Sequence, residues 1–203
     1  VFIVDDDQAV RESLGLLLKS VGISHRLFAS GQAFLDAFRP DWCGCIVLDI
    51  RMPGMSGMEL QQELGRRHCM MPIIFITGHG DVPMAVQAMQ GGAFDFIQKP
   101  FRDQDLLDRI HQAISLDYTQ RSGEEQRRAV AERYEALTPR EREVMECVVR
   151  GLANKVIAMD LELSQRTVEI HRARVMEKMG ARSLADLVRM SLMIEPAEGR
   201  GVT

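Results

Sequence analysis

Cysteine is scarce and scattered. Cys43, Cys45, Cys69 and Cys147 are the only four in 203 residues. They form no C-x-x-C pair, and Cys43-Gly44-Cys45 has no matching His or Cys ligands nearby, which argues against a disulfide framework and a zinc site alike. They read as reduced packing thiols, so a cytoplasmic location is expected. Aromatic residues make up 5% of the chain, and none follows residue 137. That removes the stacking platform an RNA-binding output needs. No apolar run approaches the ~20 residues of a membrane span. The longest, Cys45 to Leu48 and Met70 to Ile76, have strand length, and no membrane partner is expected. No signal peptide is read. The chain opens in an apolar strand without Met, so a few initiating residues are expected ahead of Val1.

What is present is ordinary globular material, 46% hydrophobic and 27% charged, enough for one or two domains. The net charge of -4 is unevenly spread. Residues 1–115 carry 10 Lys+Arg against 14 Asp+Glu, residues 116–136 carry 4 against 5, and residues 137–203 carry 11 against 10. An acidic chain argues against a nucleic-acid partner, but a slightly basic last third weakens that objection.

Two periods alternate over residues 1–115. Val1 to Val4, His25 to Ala29, Ile46 to Leu48, Ile73 to Ile76 and Phe94 to Ile97 read as strands. Helical spacing separates them, as in Val10, Leu14, Leu17, Leu18 and Val21, with Ser30 placed to cap the second helix. Strands alternating with helices predict a parallel sheet covered on both faces. Residues 116–136 are polar and predict a helical linker that breaks near Ser122-Gly123. Residues 137–194 predict four helices. Thr138-Pro139-Arg140-Glu141 is a capping box with Pro at the first helical position, Gly151 ends that helix, and Asn154 is placed to cap the next. Ser164 caps a third helix that Gly180 stops, Ser183 opens the fourth, and the tail from Pro196 is expected to fray.

Ligands of an open parallel sheet bind beyond the carboxyl ends of its strands, where strand order reverses. Asp5, Asp6 and Asp7 end the first strand, Asp49 the third and Thr77 the fourth; Lys99 follows the fifth. In the order 2-1-3-4-5 the carboxylates of strands one and three converge, and a hard cation such as Mg2+ relieves their repulsion. Helix capping alone accounts for Asp5 to Asp7 about as well. It does not account for an Asp that ends an apolar central strand.

The stretches Val4-Asp5-Asp6-Asp7, Leu48-Asp49-Ile50-Arg51-Met52-Pro53-Gly54, Ile76-Thr77-Gly78 and Lys99-Pro100-Phe101 resemble the receiver domain of two-component response regulators. The resemblance implies a CheY-like doubly wound sheet of order 2-1-3-4-5 over residues 1–115. It implies that a sensor histidine kinase phosphorylates Asp49. It places Mg2+ (or Mn2+) on Asp5, Asp6, Asp49 and the backbone carbonyl of Arg51. Thr77 and Lys99 become the groups that bind the phosphoryl group, and Phe96 the aromatic switch residue. A cis Lys99–Pro100 bond is expected as well. Residues 137–203 resemble the LuxR-type helix-turn-helix of the FixJ/NarL family through Leu137 to Glu141, Gly151 to Lys155, Ile157-Ala158 and Ser164 to Met179. Together with Gly78 to Val86, this points to the FixJ branch.

That second resemblance implies a transcription regulator of double-stranded DNA, with Ser164–Met179 as recognition helix. Glu169, Ile170, Arg172 and Ala173 are then candidates for base edges; Glu169 suits a cytosine amino group and Arg172 a guanine. Asn154, Lys155, Ser164, Arg166, Thr167, Arg174 and Lys178 are candidates for the remaining DNA contacts. A homodimer on phosphorylation and RNA polymerase complete the implied partners, with pairing through the fourth helix, Val82 to Gln90, and the fifth strand. An Asp-nucleophile phosphohydrolase of the haloacid-dehalogenase class is the enzyme alternative. It needs a second Asp two residues after the first, where this chain has Arg51, so no enzyme activity beyond the receiver's own phosphorylation and dephosphorylation is expected. A receiver that no longer phosphorylates is the third reading, opposed by the intact Asp5, Asp6, Asp49, Thr77 and Lys99 set.

Overall fold

The computed structural model describes residues 1–78 and 82–194, and at 82, 83 and 85 the backbone alone. The part of the Gly78 to Val86 stretch at 79–81 and the tail from Pro196 lie outside the described residues. The chain divides into two compact units, Val1–Arg121 and Ser122–Thr203.

The first unit holds β1 (Phe2–Val4), α1 (Gln8–Ser20), β2 (Arg26–Phe28), α2 (Gly31–Ala37), β3 (Ile46–Asp49), α3 (Gly57–Arg66), β4 (Ile73–Thr77), α4 (Val82–Gln90) and β5 (Asp95–Gln98), followed by α5 (Asp103–Glu135). All pairings are parallel, in the order β2-β1-β3-β4-β5. Side chains alternate along each strand, and in β1, β3 and β4 both sets are buried. Phe2, Val4, Ile46, Leu48, Ile73 and Phe75 pack with Phe34, Leu35, Leu60, Leu64 and Ala88, so α2, α3 and α4 cover one face. Ile3, Val47, Ile74, Ile76 and Ile97 pack with Leu14, Leu18, Leu106 and Ile110, so α1 and α5 cover the other. This double burial is why the central strands read as continuous apolar runs.

The loop before β3 is tied down from α5. Asp117 is 2% exposed, accepts the Gly44 N–H at 2.8 Å and takes Arg121 Nε at 2.9 and 3.0 Å. Arg121 Nη2 donates to the Trp42 carbonyl at 2.5 Å. Trp42 stacks on Phe2 with ring centroids 4.5 Å apart, and the Arg26 guanidinium lies 4.9 Å over its ring. These contacts explain why the first compact unit runs to Arg121. The expected break near Ser122-Gly123 is absent: α5 continues through both residues. An exposed glycine costs a helix about 1 kcal/mol, too little to interrupt one of 33 residues.

The second unit packs α6 (Pro139–Val149), α7 (Asn154–Asp160), α8 (Gln165–Met179) and α9 (Leu184–Ile194) around Val144, Val148, Ile157, Val168, Val175 and Leu187. The Thr138 capping box closes in both directions. Ser164 caps α8 by accepting from the Thr167 N–H, and Gly180 stops it in the left-handed conformation at φ 67. Asn154 does not cap α7. Ala153 holds that position without a side-chain bond, leaving Asn154 as the first helical residue.

Candidate functional sites

The strand register assembles the receiver pocket. Val4 pairs with Leu48, so Asp5 and Asp49 are the next residues along neighbouring strands. Asp49 pairs with Ile76 and Thr77 with Gln98, which sets Thr77 and Lys99 on the same carboxyl edge. Asp5, Asp49 and Lys99 share the parity of Ile3, Val47 and Ile97, and point to the α1/α5 side. Lys99 Nζ lies 2.8 Å from Asp49 Oδ1 and 3.1 Å from Asp5 Oδ2. The other carboxylate oxygens take backbone donors: Asp5 Oδ1 the Asp7 N–H at 2.8 Å, Asp49 Oδ2 the Arg51 N–H at 2.7 Å. The Lys99–Pro100 bond is cis, as expected.

Asp5 and Asp49 are buried, 2% and 9% exposed. Burial pushes the Asp5 carboxyl above its ordinary range, partly offset by the Asp7 N–H and Lys99. Burial also pulls the Lys99 ammonium down, but its bonds to Asp49 and Asp5 outweigh this and hold it above its ordinary value. Two carboxylates and one ammonium leave the trio with a net charge of -1.

Other expected members are placed differently. Asp6 is exposed beside the pocket. Asp7 is the N-cap of α1, accepting from the Ala9 and Val10 N–H groups, so the capping alternative holds for this one Asp of the run. Thr77 falls on the opposite parity; it is buried and its hydroxyl donates to the Gly78 carbonyl at 3.0 Å. Phe96 is 40% exposed on β5, and Val86 and Met89 of the contacting α4 are 51% and 40% exposed. Met84 of the same helix is half-buried and packs against the core.

A further residue of the pocket's frame is Gly57. A Cβ there would lie 2.3 Å from the Asp49 carbonyl oxygen and 3.1 Å from Phe75 Cε1. The first turn of α3 therefore closes directly against the backbone of Asp49. Its local signal is that it directly follows Ser56, the N-cap of α3.

In the second unit, Lys155, Ser164, Arg166, Glu169, Ile170, Ala173 and Arg174 are exposed, while Thr167 and Arg172 are half-buried. The Thr167 hydroxyl lies 2.8 Å from Ser164 Oγ. Arg172 Nη1 donates to Asn154 Oδ1 at 2.8 Å. Lys178, also in the expected DNA set, is tied back within the unit: its ammonium is 2.7 Å from buried Glu141 Oε2 and also donates to the Ala136 carbonyl. Nothing in the spacing of residues 141 and 178 signals that pair.

Comparison with known proteins matches this geometry. Residues 1–111 match the response regulator receiver domain, and residues 135–191 match bacterial regulatory proteins of the luxR family. The transcriptional regulatory protein FixJ of Azorhizobium caulinodans is 50% identical over 200 residues, covering 98% of this chain and 95% of that protein. Nodulation protein W of Bradyrhizobium diazoefficiens is 50% identical over 191 residues, covering 94% and 84%. The solved structure of the response regulator StyR is 46% identical with a TM-score of 0.86, covering 94% of this chain and 96% of that one. The chain belongs to the response regulators that join a receiver domain to a LuxR-type DNA-binding domain and act as transcriptional regulators.

Proposed function

We propose that Asp49 is the phosphoacceptor and that its phosphorylation controls DNA binding by the second unit. The carrying observation is the Lys99 ammonium held between Asp49 and Asp5 at the carboxyl edge of the sheet. In the transfer, an Asp49 carboxylate oxygen bonds to phosphorus as the bond from phosphorus to the donor histidine nitrogen breaks, and that nitrogen keeps the electron pair. Lys99 stays protonated and offsets charge on the phosphoryl oxygens. Thr77, one residue beyond the pairing partner of Asp49, is the hydroxyl that turns from the Gly78 carbonyl to the new phosphoryl group.

The donor set suits a divalent cation. Among the described residues no three His, Cys, Asp or Glu side chains gather as a preformed cage. Mg2+ keeps several waters in its octahedron, so it requires no such cage. Each oxygen of Asp5 and Asp49 retains a lone pair beyond its present donor, and exposed Asp6 adds a third carboxylate. Asp5, Asp49, Asp6 and the Arg51 carbonyl would hold Mg2+ or Mn2+, which when bound supplies further charge neutralisation for phosphoryl transfer.

A groove of about 670 Å3 beside the pocket, lined by Val10, Leu17, Lys99, Pro100, Phe101 and 67%-exposed Leu16, suits the sensor kinase. Val86, Met89 and Phe96 form the surface on which two phosphorylated receivers pair. Pairing makes the second half-site contact intramolecular and raises avidity by roughly 10²–10⁴, so the operator is an inverted repeat. The test is intact-mass measurement after incubation with acetyl phosphate and Mg2+. Wild-type protein gains one phosphoryl group and Asp49→Asn gains none; equal labelling of the variant refutes the assignment.

A further inference from the structure

Of the four cations in α8, Arg166 and Arg174 are exposed, and no hydrogen bond or ion pair holds either side chain among the described residues. Lys178 and Arg172 are tethered, in opposite ways. The partner of Lys178 is the buried carboxylate of Glu141, which neutralises it. The partner of Arg172 is the neutral amide oxygen of Asn154, 2.8 Å away on another helix. Asn154 is free to serve this purpose because Ala153 has taken the cap position of α7.

A neutral acceptor fixes the direction of a guanidinium without cancelling its charge. A carboxylate in its place would fix the same direction but would offset the charge, and with it the attraction to DNA. The guanidinium has five N–H donors; one is committed to Asn154, and a bidentate guanine contact needs two of the remaining four. Arg also carries large rotamer entropy, so fixing it before DNA arrives lowers the cost of ordering it on binding. Both residues are half-buried, and on α8 Arg172 neighbours exposed Glu169 and Ala173.

We propose that Asn154 is a positioning residue for base recognition. It holds the Arg172 guanidinium in the orientation in which it reads a guanine, and does not itself grip the DNA backbone. The inference rests on the reading of α8 as the recognition helix.

The test uses the full chain treated with acetyl phosphate and Mg2+. A random-sequence duplex pool is enriched on wild-type protein, and the enriched duplex is remade with each base pair replaced in turn. Arg172→Ala identifies the base pair it reads, by losing discrimination there. Asn154→Ala is expected to lose about tenfold in discrimination at that same base pair, with the other positions unchanged. Added to Arg172→Ala, it is expected to cost nothing further. Asn154→Asp keeps the acceptor oxygen, so it retains the guanine preference while its charge weakens binding to every duplex. The proposal is overturned if Asn154→Ala weakens all duplexes equally, which marks a backbone contact, or leaves discrimination intact. It is also overturned if Asn154→Asp, with folding checked by circular dichroism, loses the guanine preference. A wild-type chain that enriches no sequence would instead overturn the recognition-helix reading, and the inference with it.

Discussion

Glu141→Gln isolates one buried charge in the second unit. Glu141 is 2% exposed, lies 2.7 Å from Lys178 Nζ and accepts the Thr138 N–H at 2.9 Å. The Lys178 bond first, and the Thr138 N–H second, hold its carboxyl at about 2 against an ordinary 4.5. A carboxyl depressed in the folded state contributes stability that is fully present above pH 4.5 and is lost as pH falls toward 2. At 1.36 kcal/mol per pH unit the upper bound is about 3 kcal/mol. The Lys178 side chain is 36% exposed, and screening by that water lowers the expected contribution to about 1–2 kcal/mol. Glutamine keeps the volume and an acceptor for the Thr138 N–H, so the loss measures charge rather than packing. The assay is urea unfolding of the full chain followed by far-UV circular dichroism and by fluorescence of Trp42, the sole tryptophan, which lies in the first unit. At pH 7 the variant is expected to shift the circular dichroism transition and leave the Trp42 transition in place. The gap from wild type should narrow steadily below pH 4.5. A gap that persists undiminished near pH 3, or one below about 0.5 kcal/mol at pH 7, would refute the reasoning.

Gly57→Ala places a Cβ against the Asp49 carbonyl oxygen; it is expected to cost about 1–3 kcal/mol in urea unfolding and to slow uptake of label from acetyl phosphate. Asp117→Asn leaves Arg121 without its carboxylate at the Trp42 loop, so the Trp42 fluorescence transition should fall by about 2–3 kcal/mol, and an unmoved transition refutes the clamp. Val86→Glu with Met89→Glu is expected to leave phosphorylation intact while sedimentation shows a monomer with or without phosphodonor. A phosphorylation-dependent dimer in that variant refutes the α4–β5 pairing surface.

The parts legible in the sequence were those written in strong local signals. Strand period and apolar runs located β1, β3 and β4, because burial on both faces leaves no polar position inside them. The caps at Ser30, Thr138 and Ser164 and the stop at Gly180 were legible because each is a side-chain or backbone preference confined to one turn. The pocket was legible because its members sit at strand ends, so register alone brings Asp5, Asp49 and Lys99 together. What escaped were pairings between distant residues. Asp117 and Arg121 lie in a polar stretch that reads as linker, and only the Gly44 and Trp42 backbone groups reveal their burial. Lys178 reads as a free cation until Glu141 is brought beside it. Asn154 has the composition of a cap, and its actual partner is eighteen residues away. Gly57 is one glycine among 16 until the approach of Asp49 singles it out.

The measurement that bears most directly on the control of DNA binding by Asp49 is a binding titration of the full chain on its enriched duplex. It is run with and without acetyl phosphate, on wild type and on Asp49→Asn. Wild-type affinity is expected to rise by about 10²-fold or more with phosphodonor, and Asp49→Asn is expected not to respond. Equal affinity of the wild type in both conditions, or an equal gain in Asp49→Asn, would contradict it.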